Sequence, residues 1–181
     1  MYYKVKTKDF IRLPPDQFSK KLNEALTGEV RKKYDGYISK ELGLVIDVDK
    51  LHDVGEGIII PGDGASYFET TFDLITFIPE LQEVVYGSIK DIADFGAFMS
   101  LGPIDGMIHI SQAMNDFVSF AKDKTLAGKD TKRTLHVGDV GKARIIAVSY
   151  KDITNPKLGL TMRQPGLGKE DWIAVDLEKK K

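Results

Sequence analysis

The chain of 181 residues contains no cysteine, which excludes disulfide bridges, thiolate zinc sites and cysteine nucleophiles. It also lacks any apolar run near the roughly 20 residues that a helix needs to span a bilayer. Residues 1–6 alternate and have no long apolar core of the kind found in signal peptides. The lack of a membrane-spanning run and of a signal-peptide core predicts a cytoplasmic protein that makes no contact with a membrane.

Signatures of enzymes and cofactor sites are missing as well. The glycine-rich stretches 55–57 and 62–64 are followed neither by a predicted helix nor by the Gly-Lys-Ser/Thr ending of a phosphate-binding loop. Asp47 and Asp49 begin like a calcium loop, but Leu51 stands where a ligand is needed. The three histidines do not have the spacing of metal ligands. We therefore predict no catalytic residue, no metal and no cofactor.

Charge is nearly balanced over the chain but differs between its halves. The net charge is −1, with 11 basic against 14 acidic residues in 1–81 and 15 against 13 in 82–181. The second half is therefore the side that is expected to meet phosphate. Its basic segment is either a solvated loop or a contact with RNA or a partner, and it contains Lys122, Lys124, Lys129, Lys132 and Arg133.

The first half has the pattern of a small α+β domain over residues 1–80. Alternating residues predict a strand up to Leu13, and Asp16 is a candidate N-cap of a helix that includes Phe18 and ends near Gly36. Further strands are predicted at 37–41, 44–48 and 67–78, with a glycine-rich connection from Gly55 to Gly64. The order of elements favours a sheet packed against one main helix.

The second half, residues 81–181, has the pattern of an all-β barrel. Short strands with glycine-bearing turns in about 85 residues are typical of the OB fold, the commonest small barrel that binds nucleic acid. A polar loop is predicted at 123–136 and a frayed tail at 169–181. The strands are predicted at 83–91, 95–101, 106–110, 117–122, 143–149 and 159–162.

Five short motifs follow one another in this half. They are VYGSI at 85–89, DFGAF at 94–98, GMIHIS at 106–111, VGDV at 137–140 and LGLTMR at 158–163. Gly87 and Gly96 lie inside predicted strands, where glycine is expected at barrel bends or bulges. The order and spacing of all five motifs resemble those of the RNA-binding OB domain first described in ribosomal protein S-one.

This resemblance implies that Phe95, Phe98 and His109 share one face of the barrel, where bases stack on the rings. Two interpretations of Phe98 stay open, a core residue or part of the platform, and His109 is either a structural residue or an RNA contact. Four cations are candidates for salt-dependent contacts with phosphate. They are Lys90, Lys142, Arg144 and Arg163.

Motifs of the first half, with two of the second half, identify the family more narrowly. They are MYYKV at 1–5, DFIRLPP at 9–15, RKKYDG at 31–36, LGLVI at 42–46, PGDGASY at 61–67, FIP at 77–79, GPIDGMIHISQ at 102–112 and TKRTL at 131–135. These motifs resemble those of the E component, in its E-prime form, of archaeal DNA-directed RNA polymerase, the counterpart of the seventh subunit of eukaryotic RNA polymerase II. The resemblance runs from Met1 to about Asp171.

The family implies a non-catalytic subunit of the polymerase stalk. It forms a heterodimer with a helical partner, the F component of the polymerase, docks on the core subunits through its N-terminal domain and presents the barrel to nascent single-stranded RNA. Such subunits assist promoter opening, elongation and termination. We expect docking to involve the loop with Gly57, Pro61, Gly62 and Gly64, although these glycines equally suit simple turns.

Two other functions remain compatible with the barrel alone. One is a standalone RNA-binding factor of translation or RNA decay, which shares the barrel motifs but carries other domains. The other is a scaffold whose barrel binds only protein. Association with polymerase argues against the first, and salt-dependent RNA binding argues against the second.

Overall fold

The computed structural model describes residues 1–121, 123–150 and 156–178. Within it the chain divides into two compact units, Met1–Ile78 and Pro79–Lys181. Each unit has a hydrophobic core formed by its own residues. The two units are therefore described separately.

The first unit is an antiparallel sheet with one helix on one face, which confirms the predicted α+β class. The strand order is β1-β4-β3-β2, and α1 contributes Ala25, Leu26 and Val30 to the core. Gly36, just beyond the helix, has a φ of 65°, as expected for a glycine that ends a helix. The elements are β1 (Tyr2–Leu13), a 3₁₀ turn (Pro15–Gln17), α1 (Leu22–Tyr34), β2 (Ile38–Ser39), β3 (Gly43–Ile59) and β4 (Ser66–Phe77).

The predicted start of the helix was wrong. Asp16 is not an N-cap, because it lies inside the 3₁₀ turn Pro15–Gln17, which Pro15 opens. The α-helix begins only after Lys21, and Phe18 is 50% exposed rather than part of the apolar helix face. Proline fixes φ near −65°, which suits the first position of such a turn.

The first half of the predicted glycine-rich connection, residues 55–59, is a continuation of β3. Gly55 and Gly57 lie within the strand; Gly57 pairs with Phe68 of β4, and Gly55 lies in the bulge between Val54 and Gly57. A Cβ on Gly57 would lie 2.9 Å from the ring of Phe68. Glycine here accommodates the close approach of an aromatic ring, which a larger residue would displace, and does not serve a turn.

The second unit contains a closed five-stranded barrel, which confirms the predicted OB fold. Neighbouring strands pair in the order β12-β7-β6-β5-β11, and β11 pairs again with β12 to close the ring. Only the pair β7–β12 is parallel within this ring. The barrel elements are β5 (Val84–Ala93), β6 (Gly96–Ser100), β7 (Asp105–His109), α2 (Ile110–Ala113), β11 (Val140–Ser149) and β12 (Lys157–Thr161).

Alternate residues of these strands fill the barrel, so their neighbours face outward. Ala97, Ile108 and Leu160 are paired across adjacent strands and are at most 1% exposed. Register shifts between Ile89 and Asp91 and between Ile145 and Ala147 bend the barrel. The residues that precede and follow these three in β6, β7 and β12 therefore point out of the barrel.

The prediction of a loop throughout 123–136 was wrong, because the segment contains two short strands, at 125–128 and 134–135. β8 (Val118–Ala121), β9 (Thr125–Gly128) and β10 (Thr134–Leu135) form a separate three-stranded sheet. Leu126 and Leu135 are completely buried in the barrel core and hold this sheet in place. The strands are too short to show the periodicity from which strands are recognised. Lys122 lies outside the described residues.

The tail was predicted to fray, but residues 168–178 are ordered as β13 (Gly168–Lys169) and α3 (Glu170–Glu178). Trp172 is only 8% exposed, and the guanidinium of Arg133 lies 5.6 Å from its ring centroid. Arg133 also forms an ion pair with Asp176. No helix within the described residues is long and apolar enough to cross a membrane.

Candidate nucleic-acid interface

A groove of about 650 Å³ lies on the outward face of β7 and β12, beside Phe98 of β6. Phe98 pairs with Met107, and Met107 pairs with Gly159, so the three positions form one row across the sheet. Gly159 has no side chain and Ala147, its partner on β11, has a small one. The groove is therefore open at the middle of the row and walled by larger side chains, including Ile146.

The aromatic platform predicted from the motif lies at this groove. The rings of Phe95 and Phe98 meet edge to face, with centroids 5.9 Å apart and an interplanar angle of 85°. Phe95 is 46% exposed, and Phe98 is half-buried and lines the groove. A Cβ on Gly96 would lie 2.1 Å from the carbonyl oxygen of Ile108. Glycine therefore allows the close strand contact that sets the two rings side by side.

His109 lines the same groove at the end of β7, where it caps α2. Its Nδ1 accepts a hydrogen bond from the backbone N–H of Ser111 at 3.3 Å and lies 2.9 Å from the Ser111 hydroxyl. A neutral imidazole whose Nδ1 accepts carries its proton on Nε2. His109 thus serves the structure with one nitrogen and offers the other as a donor to a ligand.

Two lysines lie at the groove, of which only Lys90 was predicted. Lys90 forms a 2.6 Å ion pair with Asp105, a lining residue. Lys157 lines the groove itself, is exposed and has no carboxylate partner among the described residues. The alternation of β12, with Leu158 and Leu160 buried, is the signal that points Lys157 outward.

The other predicted cations are not brought to the groove. Lys142 and Arg144 lie on the half of β11 that pairs with β5, opposite Tyr86 and Val84. Arg163 lies in a second depression of about 360 Å³, where its Nε donates to Asn115 at 3.1 Å. Their contact with phosphate stays a prediction, and it would require RNA to run beyond the groove.

The predicted docking loop presents apolar side chains in the first unit. Ile58, Ile59 and Ile60 are 52%, 72% and 47% exposed, three consecutive apolar residues at the end of β3. Pro61 and Gly62 follow, and Gly62 has a φ of 93°, which turns the chain. We call residues 58–62 the tip.

Behind the tip, Asp63 is held by three partners. Nε and Nη2 of Arg12 donate to its two carboxylate oxygens at 3.0 and 2.8 Å, and the Tyr67 hydroxyl donates at 2.7 Å. The hydrogen bonds from Arg12 and then Tyr67 hold the pKa of Asp63 below its ordinary value. The backbone N–H of Ala65 donates to the same carboxylate at 3.2 Å. The predicted docking residues are near Asp63 in the sequence in three cases, Pro61, Gly62 and Gly64. The fourth, Gly57, lies in β3.

Two family models match the chain, one in each unit. Residues 8–64 match the "SHS2 domain found in N terminus of Rpb7p/Rpc25p/MJ0397". Residues 78–153 match the "S1 RNA binding domain". Both agree with the resemblances drawn from the sequence.

Relatives of known function match over nearly the whole length. DNA-directed RNA polymerase subunit Rpo7 of Saccharolobus solfataricus is 41% identical over 96% of this chain and 97% of its own. Rpo7 of Sulfolobus acidocaldarius is 34% identical over 99% and 98%. Subunit RPC8 of RNA polymerase III of Bos taurus is 30% identical over 86% and 79%. With an SHS2 domain, an S1-type barrel and these relatives, the chain belongs to the Rpo7 family of DNA-directed RNA polymerase subunits.

Proposed function

We propose that this chain is a non-catalytic stalk subunit that binds nascent single-stranded RNA in the barrel groove while its first unit docks on the polymerase core. It works in the cytoplasm, pairs with the helical F component of the polymerase and assists promoter opening, elongation and termination. The observation that carries RNA binding is the groove, which is lined by the half-buried ring of Phe98, His109 and the exposed Lys157, with the exposed ring of Phe95 packed against Phe98. Rings of this kind stack bases of any sequence.

Whole-length similarity to polymerase subunits favours this function over a standalone RNA-binding factor. A tagged pull-down from native lysate tests the choice. We expect large polymerase subunits and a small helical partner to be recovered. Recovery of ribosomal or nuclease components without polymerase would contradict the proposal and leave only the barrel assignment.

RNA binding is tested by truncating the platform. Because base stacking contributes about 1–3 kcal/mol per ring, Phe98→Ala should weaken binding of an oligouridylate by roughly 5- to 150-fold in a fluorescence anisotropy titration. Phe18→Ala is the control, since Phe18 is 50% exposed and lies in the other unit. Equal affinities of the two variants would remove Phe98 from the RNA site.

Docking is tested at the tip. A charge at Ile59, the most exposed of the three isoleucines, would be buried without a partner in an apolar pocket of the core enzyme. Ile59→Glu should therefore reduce the fraction of chain that co-purifies with polymerase. Ile46→Glu is the control, because Ile46 is on the same strand and 39% exposed. Equal co-purification of both variants would exclude the tip as a docking element.

A further inference from the structure

Phe117 is the most exposed large apolar side chain among the described residues, at 81%. An isolated exposed aromatic ring is ordinary when it lies on a flexible segment. This ring lies on a fixed one. Its backbone N–H donates to Asp116 at 2.6 Å, and its carbonyl oxygen accepts from the N–H of Lys129 at 2.9 Å. Both bonds hold the backbone of Phe117 at the base of the β8–β9 hairpin.

Asp116 organises that base. Its carboxylate accepts from the backbone N–H groups of Asp130 and Thr131 and from the Thr131 hydroxyl at 2.6 Å. A Cβ on Gly128 would lie 2.5 Å from this carboxylate, so the strand passes close against it. The hairpin is further fixed by Leu126, which is fully buried in the barrel core. The exposed ring is therefore presented by a rigid support.

Lys129 lies opposite Phe117 in the backbone pairing of the hairpin, where its N–H donates to the Phe117 carbonyl oxygen. Val118 pairs with Gly128, so the next position of the ladder places Phe117 opposite Lys129. Side chains at directly opposite positions of an antiparallel pair have their Cβ atoms about 4.5–5.5 Å apart. Lys129 and Lys132 are both exposed, and neither has a carboxylate partner among the described residues. One end of the hairpin thus carries both an aromatic ring that can stack on a base and lysines that can contact phosphate.

The other end of the hairpin reaches the aromatic platform. Lys124, in the turn between β8 and β9, forms a 2.8 Å ion pair with Asp91. Asp91 is the cross-strand partner of Phe98 and lies on the same outward face. β8 has four residues and spans about 13 Å at roughly 3.3 Å per residue. A few nucleotides of single-stranded RNA are therefore long enough to run along the hairpin from the groove to Phe117.

We propose that Phe117 and Lys129 form a second contact point for single-stranded RNA, which extends the path of the transcript from the barrel groove along the β8–β9 hairpin. The ring stacks one base, and Lys129 contacts a neighbouring phosphate, with Lys132 nearby. This inference rests on the proposed RNA-binding function of the groove. With this second contact point, the full chain binds a longer stretch of RNA than the groove alone can hold.

The test compares two oligouridylates on the full-length chain by fluorescence anisotropy. One has about 4 nucleotides and the other about 16, the limits found for a single OB fold. Phe117→Ala should weaken binding of the long RNA by roughly fivefold or more and leave the short RNA unchanged. Phe117→Trp should retain the affinity, because it keeps an aromatic face. Lys129→Gln should lower the salt dependence for the long RNA only, by about 0.7 in the log–log slope.

Failure of this inference differs from failure of the groove. If Phe98→Ala weakens both RNAs and Phe117→Ala weakens neither, the groove stands and the second contact point is excluded. Equal losses for both RNAs with Phe117→Ala would also exclude it, since the ring would then act on the groove. A wild-type chain that binds neither RNA would overturn both proposals. Loss of polymerase association with unchanged RNA affinity would assign Phe117 to protein contact instead.

Discussion

At the scale of single residues, glycines decide local structure in two opposite ways. Gly96 is required, because any side chain there would strike the backbone of the neighbouring strand β7. Gly28 lies in the middle of α1, and no atom stands within 4 Å of the place where its Cβ would be. The same residue type therefore serves close packing at one position and weakens a helix at the other.

We expect Gly28→Ala to raise the free energy of unfolding of the first unit by about 0.5–1 kcal/mol. The gain comes from the lower backbone entropy of alanine in the unfolded chain and from its higher helix propensity. Urea unfolding followed by far-UV circular dichroism measures it. A decrease in stability would mean that the space beside α1 is filled in solution.

Gly96→Ala should have the opposite sign in the barrel. A methyl group placed 2.1 Å from the carbonyl oxygen of Ile108 cannot be accommodated by rotating a side chain. Overpacking of this kind costs about 1–3 kcal/mol, and here β6 must shift as well. The measurement is urea unfolding of the full chain, followed by tryptophan fluorescence. An unchanged midpoint would contradict the close strand approach.

At the scale of elements, the hairpin β8–β9 depends on one carboxylate at its base. The Thr131 hydroxyl, the Thr131 N–H and further backbone N–H groups lower the pKa of Asp116 from 3.8 to about 2. A carboxyl whose pKa is lowered by folding stabilises the folded state above its unfolded pKa, and this contribution is lost as the pH falls through the folded value. The hairpin base should therefore be intact at pH 5 and loosen between about pH 4 and pH 2.

Amide hydrogen exchange by NMR tests this prediction at Phe117, Asp130 and Thr131. Their protection, corrected for intrinsic exchange, should fall relative to β5 and β6 over that interval. Asp116→Asn is the control variant, since it cannot titrate and should already show reduced protection at pH 5. Protection that stays constant down to pH 2 would show that Asp116 does not hold the base.

How far the sequence predicts the elements depends on their length and on competing turns. The long strands β1 and β4 and the barrel motifs around Phe98 and His109 were predicted, because alternation and motif spacing survive in the chain. The start of α1 was missed because Pro15 favours a separate 3₁₀ turn, and β9 and β10 were missed because strands of two to four residues show no period.

The site shows the same division. Phe95 and His109 are close in space because they lie at the ends of paired strands, and the motif carries that relation. Lys142 and Arg163 are spread around the barrel, because register and closure, which sequence spacing alone does not give, decide which sector a residue faces. Lys157 was overlooked for the same reason, although its position in β12 places it in the groove.

At the scale of the whole molecule, the two separate cores imply two folding units. The chain has one tryptophan, Trp172, which packs against the core of the second unit. Its fluorescence therefore reports only on that unit. We expect residues 79–181 alone to fold cooperatively, with the blue-shifted emission of a buried indole. A red-shifted emission without a transition in urea would show that the barrel needs residues 1–78.

Closure of the barrel by its last strand has a consequence for synthesis on the ribosome. The sheet of the first unit is complete once β4 has emerged, whereas the barrel waits for β12, which pairs with β7 and β11. β12 follows about 80 residues later, a delay of roughly 4–16 s at about 5–20 residues per second. Within that interval β7 and then β11 are made, and each lacks a neighbour until β12 follows. The newly made chain thus passes through a stage in which the first unit is folded while the strands of the barrel still have unpaired edges. A partner that binds the first unit early would be present before the barrel closes.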